Sequence, residues 1–422
     1  MDLDEVVAHL ISDDKRASGA TWSAVKELDE RALPTLARVL ARAETREVGS
    51  RLARAFTSIT VTDHKAYLPY LAAENAVVRR CAAGAFQGKA EATVSYAEAL
   101  LPLLRDIDED VRTRVGWVLR SAGEEIIPAL LRVRRTPGSH LRAPVLRALV
   151  DIAGFDGLDR ADQENVRRLI AIKSLGEVPG SVHLCGSWFA TPTADQTAVL
   201  DAFDLSDPVP VTMRLGASAW NFDHHNATSR DEHRRCRRMY VSPEFDGWTL
   251  VFGNTAEAAH LQSGGAAQMD AWMSLIFAAC RNLSRRFGEA HWYGMSCGDG
   301  WTAWCIARDG EIVRYYDAFE PDQAIGNPLP EESRYVLPHE DPFPDDAFDG
   351  VDPNDTEAFT ARWMHVKEVQ GIPDACNAAL LAQELSVGPA SLGPGTAVRG
   401  RALLALTSCG RELGMPPGAV PI

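Results

Sequence analysis

Leu100, Leu101, Leu103, Leu104 and Ile107 recur at helical spacing in the stretch LLPLLRDIDEDVRTRVGWVLRSAG, residues 100–123. The acidic run DIDED then breaks the period. Val111, Val115, Val118 and Leu119 follow at i, i+4, i+7 and i+8, a second apolar stripe. Asp110 reads as an N-cap or as a first-turn acid favoured by the helix dipole. Gly123 reads as the left-handed residue at the helix exit. The spacing therefore predicts helix, acidic turn, helix. Two short amphipathic helices cannot bury both stripes against each other, so they require neighbours.

Those neighbours repeat along the chain. Leu68-Pro69 stands 33 residues before Leu101-Pro102, and Val78-Arg79 stands 33 before Val111-Arg112. Leu33-Pro34 extends the series upstream, and Ile127-Pro128 with Leu141-Arg142 extends it downstream. The order is apolar-Pro, apolar helix, polar turn, then a helix opening apolar-Arg, at intervals of roughly 26 to 35 residues. Such a period predicts an α-solenoid of stacked helical pairs. The proline falls in the first turn, where its missing N–H costs little. In these residues the chain resembles HEAT repeats over about residues 20–155, with a capping helix expected on either side. The expected helical domain is residues 1–178.

The pattern changes near Pro179-Gly180, and residues 180–422 read as an α+β domain with a mainly antiparallel sheet. GEVPGSVHLCGSWFATPT reads as a linker leading into a strand, and PVTMRLGASAWNF has β-type composition. RRMYVSPEFDGWTLVFGNT predicts strand, turn, strand. In MDAWMSLIFAACRNLSRRFG, Met269, Trp272, Met273, Ile276, Phe277, Cys280 and Leu283 make the buried stripe of a helix laid on one sheet face. HWYGMSCGDGWTAWCIARDGEIVRYYDA predicts three strands joined by tight turns at GDG and RDGE, since Asp-Gly is a strong hairpin signal. Two helices, TEAFTARWMHVKEVQ and DACNAALLAQELSV, and a closing strand in GTAVRGRALLALT complete the pattern. YVSPEFDGWTLVFG, GDGWTAWCIARDGEIVRYY and VRGRALLALT resemble a C-terminal domain of hypothetical actinobacterial proteins, over about residues 238–408. That family has no assigned activity, so the resemblance implies a coherent fold and a bacterial origin. This chain carries Cys297 and Trp301 where the family pattern has Gln and Ser.

A chain of 422 residues, 46% hydrophobic and 24% charged, has the make-up of a two-domain globular protein. No apolar run approaches membrane-spanning length, and the acidic, amphipathic start MDLDEVVAHLISDDKR does not read as a signal peptide. Eight cysteines without a C-x-x-C pair read as reduced, mostly buried thiols of a cytoplasmic protein. The net charge of −15 is uneven: the first 175 residues hold 26 basic and 25 acidic side chains, so the acid excess lies beyond them. Arg79, Arg80, Arg112, Arg114, Arg142 and Arg147 could form a ladder through the repeats. We read the ladder as structural, bonding to loop carboxylates of adjacent units. A nucleic-acid face is the alternative.

The segment NFDHHNATSRDEHRRC brings Asp223, His224, His225, His233 and Cys236 close in sequence. These residue types ligate zinc or iron, but the spacing fits no established metal motif. Adjacent histidines also point to different sides of a helix or strand. A solvated loop is the plainer reading. Asp223, His224, His225 and His233 are candidate metal ligands, and His224 and His225 candidate catalytic groups. Cys297, near His291 and Asp299, is a candidate nucleophile, although a hairpin thiol lacks the helix N-terminus that would activate it. No nucleotide- or cofactor-binding loop and no nucleophile elbow occurs, so no cofactor is predicted. Trp301 and Trp304 fall on opposite faces of one strand and are candidate interface anchors.

Two functions follow. The first is a protein- or peptide-binding module, using the solenoid surface and the acidic α+β domain, with Arg79, Arg112, Arg142, Trp301 and Trp304 as candidate contacts. A basic partner suits the charge, and nucleic acid does not. The second is an enzyme of unfamiliar type acting at a cleft between the two parts. Asp223, His224 and His225 would be its polar centre, and a divalent ion its cofactor if they bind one.

Overall fold

A computed structural model describes residues 1–12, 19–155, 157–227, 232–255, 266–352 and 355–416. The chain forms two compact units that divide between Gln163 and Glu164. Periodicity placed the change near residue 179, because the helix Arg160–Ser174 carries the helical pattern across that division.

Every described element of the first unit is helical. The repeating grammar has a local cause at each step. Leu33–Leu40, Leu68–Leu71, Leu101–Arg105 and Ile127–Arg135 all open with proline in the first turn. Each partner helix starts where a polar turn ends: Arg46–Thr57, Ala76–Gly84, Glu109–Ser121 and Arg142–Ala153. Thr45, Asn75 and Asp108 cap three of these, each side chain accepting a backbone N–H of the first turn. The cap of Glu109–Ser121 is therefore Asp108, and Asp110 is the first-turn acid. The second stripe is buried, with Val111, Val115, Val118 and Leu119 fully enclosed; of the first, Leu100, Leu101 and Leu103 are buried, but Ile107 is 94% exposed because the helical turn ends at Arg105. This unit is a HEAT-like array of helical pairs, and the pairs supply one another's missing neighbours.

The second unit is built on a nine-stranded antiparallel sheet. Its strands are β1 (Gly186–Thr191), β2 (Ser206–Val211), β3 (Arg238–Phe245), β4 (Trp248–Phe252), β5 (Glu289–Met295), β6 (Thr302–Arg308), β7 (Glu311–Asp317), β8 (Val398–Arg399) and β9 (Ala402–Leu406). The order is β2-β9-β3-β4-β1-β5-β6-β7, with β8 pairing the end of β3. Asp246-Gly247 and Asp309-Gly310 have positive φ at both positions and make the tight hairpins expected of Asp-Gly. GDG instead lies in a longer loop, where the Asp299 carboxylate accepts the Trp301 N–H and Gly300 alone takes positive φ.

One face of the sheet packs against the helix Ala266–Phe287, whose Trp272, Met273, Ile276 and Cys280 meet Phe189, Val251, Trp292 and Cys305. The opposite face is covered as well. There the helix Met213–His225 lays Trp220 against Phe252, and Ala378–Leu385 packs near β5 and β6. Gly216 lets that first helix approach, since a Cβ there would fall 2.3 Å from the Tyr240 ring. MRLGASAWNF, read as β-type, is thus helical. Thr212 caps it by accepting the Leu215 N–H, and the Glu177 carboxylate accepts the Met213 and Arg214 N–H groups. Among the described residues no helix is long and apolar enough to cross a membrane.

Candidate functional site

The arginines of the repeat ladder are held by their own array. Arg79 grips Asp106 through two bonds of 2.8 and 2.7 Å and donates to the carbonyls of Ala73 and Glu74. Its guanidinium holds the Asp106 carboxyl below the usual range. Arg112 donates to the carbonyls of Asp106 and Ile107 at 2.7 and 3.1 Å. Arg142 donates to the Arg134 carbonyl, and Arg134 in turn grips Asp162. In these three pairs the arginine thus ties the second helix to its own turn, to the next turn or to the preceding helix.

A few large apolar side chains of the array are exposed, Ile107 and Trp117 among them. Trp117, on the helix Glu109–Ser121, is 45% exposed. The Arg114 guanidinium lies 4.9 Å from its ring centre and donates to Gln87 of the preceding pair at 2.8 Å. The indole is thereby held in place at the surface.

In the second unit, the DHH segment ends the helix Met213–His225, so its side chains diverge. Asp223 is buried and pairs with Arg238 at 2.6 and 3.1 Å, and with Arg234 at 3.5 Å. It is a structural counter-ion. His224 packs on β1, where Gly186 (φ +117°) has no Cβ to meet its Nδ1. Burial, with lesser help from Arg235 and His225, pushes His224 down to about 4. His225 is exposed and joins His183 and Cys297, their ligand atoms all within 4.8 Å of one another. The Cys297 N–H donates to the Cys185 thiol at 3.4 Å, and burial raises that thiol. A cleft of about 560 Å³ adjoins His183, lined also by Glu177, Met213, Asn221 and Tyr240. Asn221 Oδ1 is buried without a hydrogen-bond partner.

A second group gathers His233 and Cys236, on the 3-10 turn Glu232–Cys236, with Cys409 from the helix Ser408–Leu413. Cys236 Sγ lies 3.2 Å from Cys409 Sγ and 3.8 Å from His233 Nδ1, and Cys409 Sγ lies 3.4 Å from the same nitrogen. Burial, followed by the Cys409 thiol, pushes Cys236 up to about 12.

Trp304 is fully buried and donates to Glu332, whose carboxylate also holds Arg314. Trp301 is half-buried and donates to Asp317 at 3.1 Å. Helices on both sheet faces leave only Trp301 of this pair with any surface for a partner.

Of the candidate ligands, the structure thus joins His225 with Cys297 and His233 with Cys236, and includes Asp223 and His224 in neither group, although the His224 ring lies 5.3 Å from that of His225. His183 and Cys409 escaped the sequence reading. Cys409 lies 173 residues from Cys236, and only the pairing of β3 with β9 brings them together.

No family model matches this chain, and no curated protein matches it. Among solved structures it is similar to the complex of CpcE and CpcF of phycocyanin lyase from Nostoc sp. PCC7120. That likeness has 18% identity and a TM-score of 0.23, over 35% of this chain and 96% of that one. It is also similar to an engineered protein, at 18% identity and a TM-score of 0.22, over 42% of this chain and 91% of that one. Likenesses of this size carry nothing beyond the chain's own geometry.

Proposed function

We propose that this chain is a protein- or peptide-binding module and that its helical array presents Trp117 as an anchor. The observation that carries the reading is the exposed indole, fixed by Arg114, which is fixed by Gln87. Tryptophan and arginine dominate interface hot spots, and an aromatic already held in place loses little entropy on binding. The ladder arginines support the same reading from the other side. Arg79, Arg112 and Arg142 bond to carboxylates and carbonyls of the array and offer little to phosphate. The acid excess beyond residue 175 favours a basic partner and repels nucleic acid. The test is affinity capture with the full chain, followed by binding measurements on each purified, identified protein. A partner that binds the wild type and loses about 30-fold or more in affinity with Trp117→Ala supports the reading, that being the scale of a hot spot. Unchanged affinity in the variant refutes it.

The 560 Å³ cleft favours a second reading, a small-molecule site within the second unit, because Asn221 Oδ1 is left there without a partner. His183, with His225 and Cys297 beside it, would supply the chemistry. Ligand screening by thermal shift tests it. A ligand whose stabilisation vanishes in Asn221→Leu supports it, and one that stabilises both proteins equally argues against it.

A further inference from the structure

We propose that His233, Cys236 and Cys409 form a binding site for a thiophilic divalent cation, Zn²⁺ above others, with one coordination position filled by an exogenous donor. The geometry comes first. A tetrahedral zinc with sulfur at about 2.3 Å and nitrogen at about 2.0–2.1 Å sets its ligand atoms about 3.5–3.8 Å apart. The three separations here are 3.2, 3.4 and 3.8 Å, so a cation can enter with movements of a few tenths of an ångström. The local fold explains the convergence. Residues three apart on a 3-10 turn eclipse one another, so His233 and Cys236 stand on one side of Glu232–Cys236.

The third ligand is delivered by the sheet. β9 pairs with β3 through Arg238↔Leu406, so the chain leaving β9 meets the turn leading into β3. Thr407 fastens the two: its N–H donates to the Arg237 carbonyl at 3.1 Å and its hydroxyl to the Cys236 carbonyl. Gly410 is required there, because a Cβ would lie 1.9 Å from the Arg237 oxygen. The ligands are therefore held by backbone contacts that owe nothing to a metal.

The chemistry selects the cation. Two sulfurs and an imidazole suit zinc and other thiophilic ions, and not magnesium or calcium. Cys236 is fully buried and Cys409 nearly so, at 8% exposure. A cation supplies the missing positive charge: both thiols lose their protons to solvent and each thiolate forms one bond to the metal. Among the described residues the site has three ligands. A water or a partner's donor atom completes the tetrahedron.

The test uses the full chain kept reduced, freed of metal and titrated with zinc chloride against a chromogenic chelator. One equivalent should bind. Cobalt(II) in its place should show the strong thiolate-to-metal absorption of two sulfur ligands, a readout on the wild type that needs no variant to fold. Cys409→Ser and Cys236→Ser should each weaken binding by more than about 100-fold, beyond what loss of an outer partner costs. His183→Ala, in the other histidine–cysteine group, should bind as the wild type does. Failure of the reduced wild type to bind one equivalent would overturn the proposal. So would unchanged affinity in Cys409→Ser, or recovery of a Cys236–Cys409 disulfide that reduction does not convert into a zinc-binding form.

Discussion

Replacing Arg79 with methionine separates a structural ladder from a ligand-binding one. The Arg79 and Asp106 side chains are only 12% and 7% exposed, and they are joined by two bonds in a parallel fork. Arg79→Met keeps most of the packed stem and removes only the guanidinium. It leaves the Asp106 carboxylate with the Asp108 N–H at 2.9 Å and the more distant charge of Arg112. It also leaves the carbonyls of Ala73 and Glu74 without their donor. Breaking a buried pair by deleting one partner costs about 3–5 kcal/mol, whereas an exposed pair is worth about 1 kcal/mol or less. The burial here places the expected loss at about 3 kcal/mol, a large share of a stability of about 5–15 kcal/mol. Adding Asp106→Asn removes the stranded charge, so the double variant should be more stable than Arg79→Met alone. Urea denaturation followed by circular dichroism reads both, through the midpoint at constant slope. A loss below about 1 kcal/mol for Arg79→Met would refute the reasoning, and the arginine would then be available to a ligand.

The remaining predictions concern packing and pH. Val115 is fully buried in the inner stripe, so Val115→Asp should cost several kcal/mol and lower the melting temperature sharply; an unchanged melt would mean the helix is in another register. His224, neutral in the fold with its titration moved down to about 4, should make stability fall with acid. The unfolded chain takes up that proton near pH 6.5 and the folded chain only near 4, so stability is complete above about 6.5 and declines between the two, by at most about 3 kcal/mol. His224→Gln should flatten that part of the stability profile; a variant as acid-sensitive as the wild type would assign the effect elsewhere.

The first unit was legible because its information is local and repeated. Apolar-Pro marks each first helix, and an acid or amide before an apolar-Arg pair marks several of the second ones, as Asn75 and Asp108 do. Local reading also gave β3 to β7, where Asp246-Gly247 and Asp309-Gly310 dictate the hairpins. It failed where a distant residue decides. MRLGASAWNF is helical because Thr212 and the carboxylate of Glu177 cap it and Gly216 lets it lie on Tyr240. Trp304 is hidden because the helix Ala378–Leu385 lies over β5 and β6 and Glu332 takes up its N–H. The histidine segment was singled out by composition, but its chemistry depends on partners outside the segment. Asp223 goes to Arg238, His225 to His183 and Cys297, and Cys236 to Cys409. No spacing rule reaches across such separations, because sheet pairing creates them.

The central claim is that the array recognises protein through Trp117 and does not read nucleic acid through its arginines. The most direct measurement is equilibrium binding of the full chain to a captured partner and to duplex DNA at one moderate salt concentration, for the wild type and for Trp117→Ala. The account predicts partner binding that weakens about 30-fold or more in the variant, and no submicromolar DNA binding by either protein. Submicromolar binding to DNA, with a partner affinity indifferent to Trp117, would contradict it.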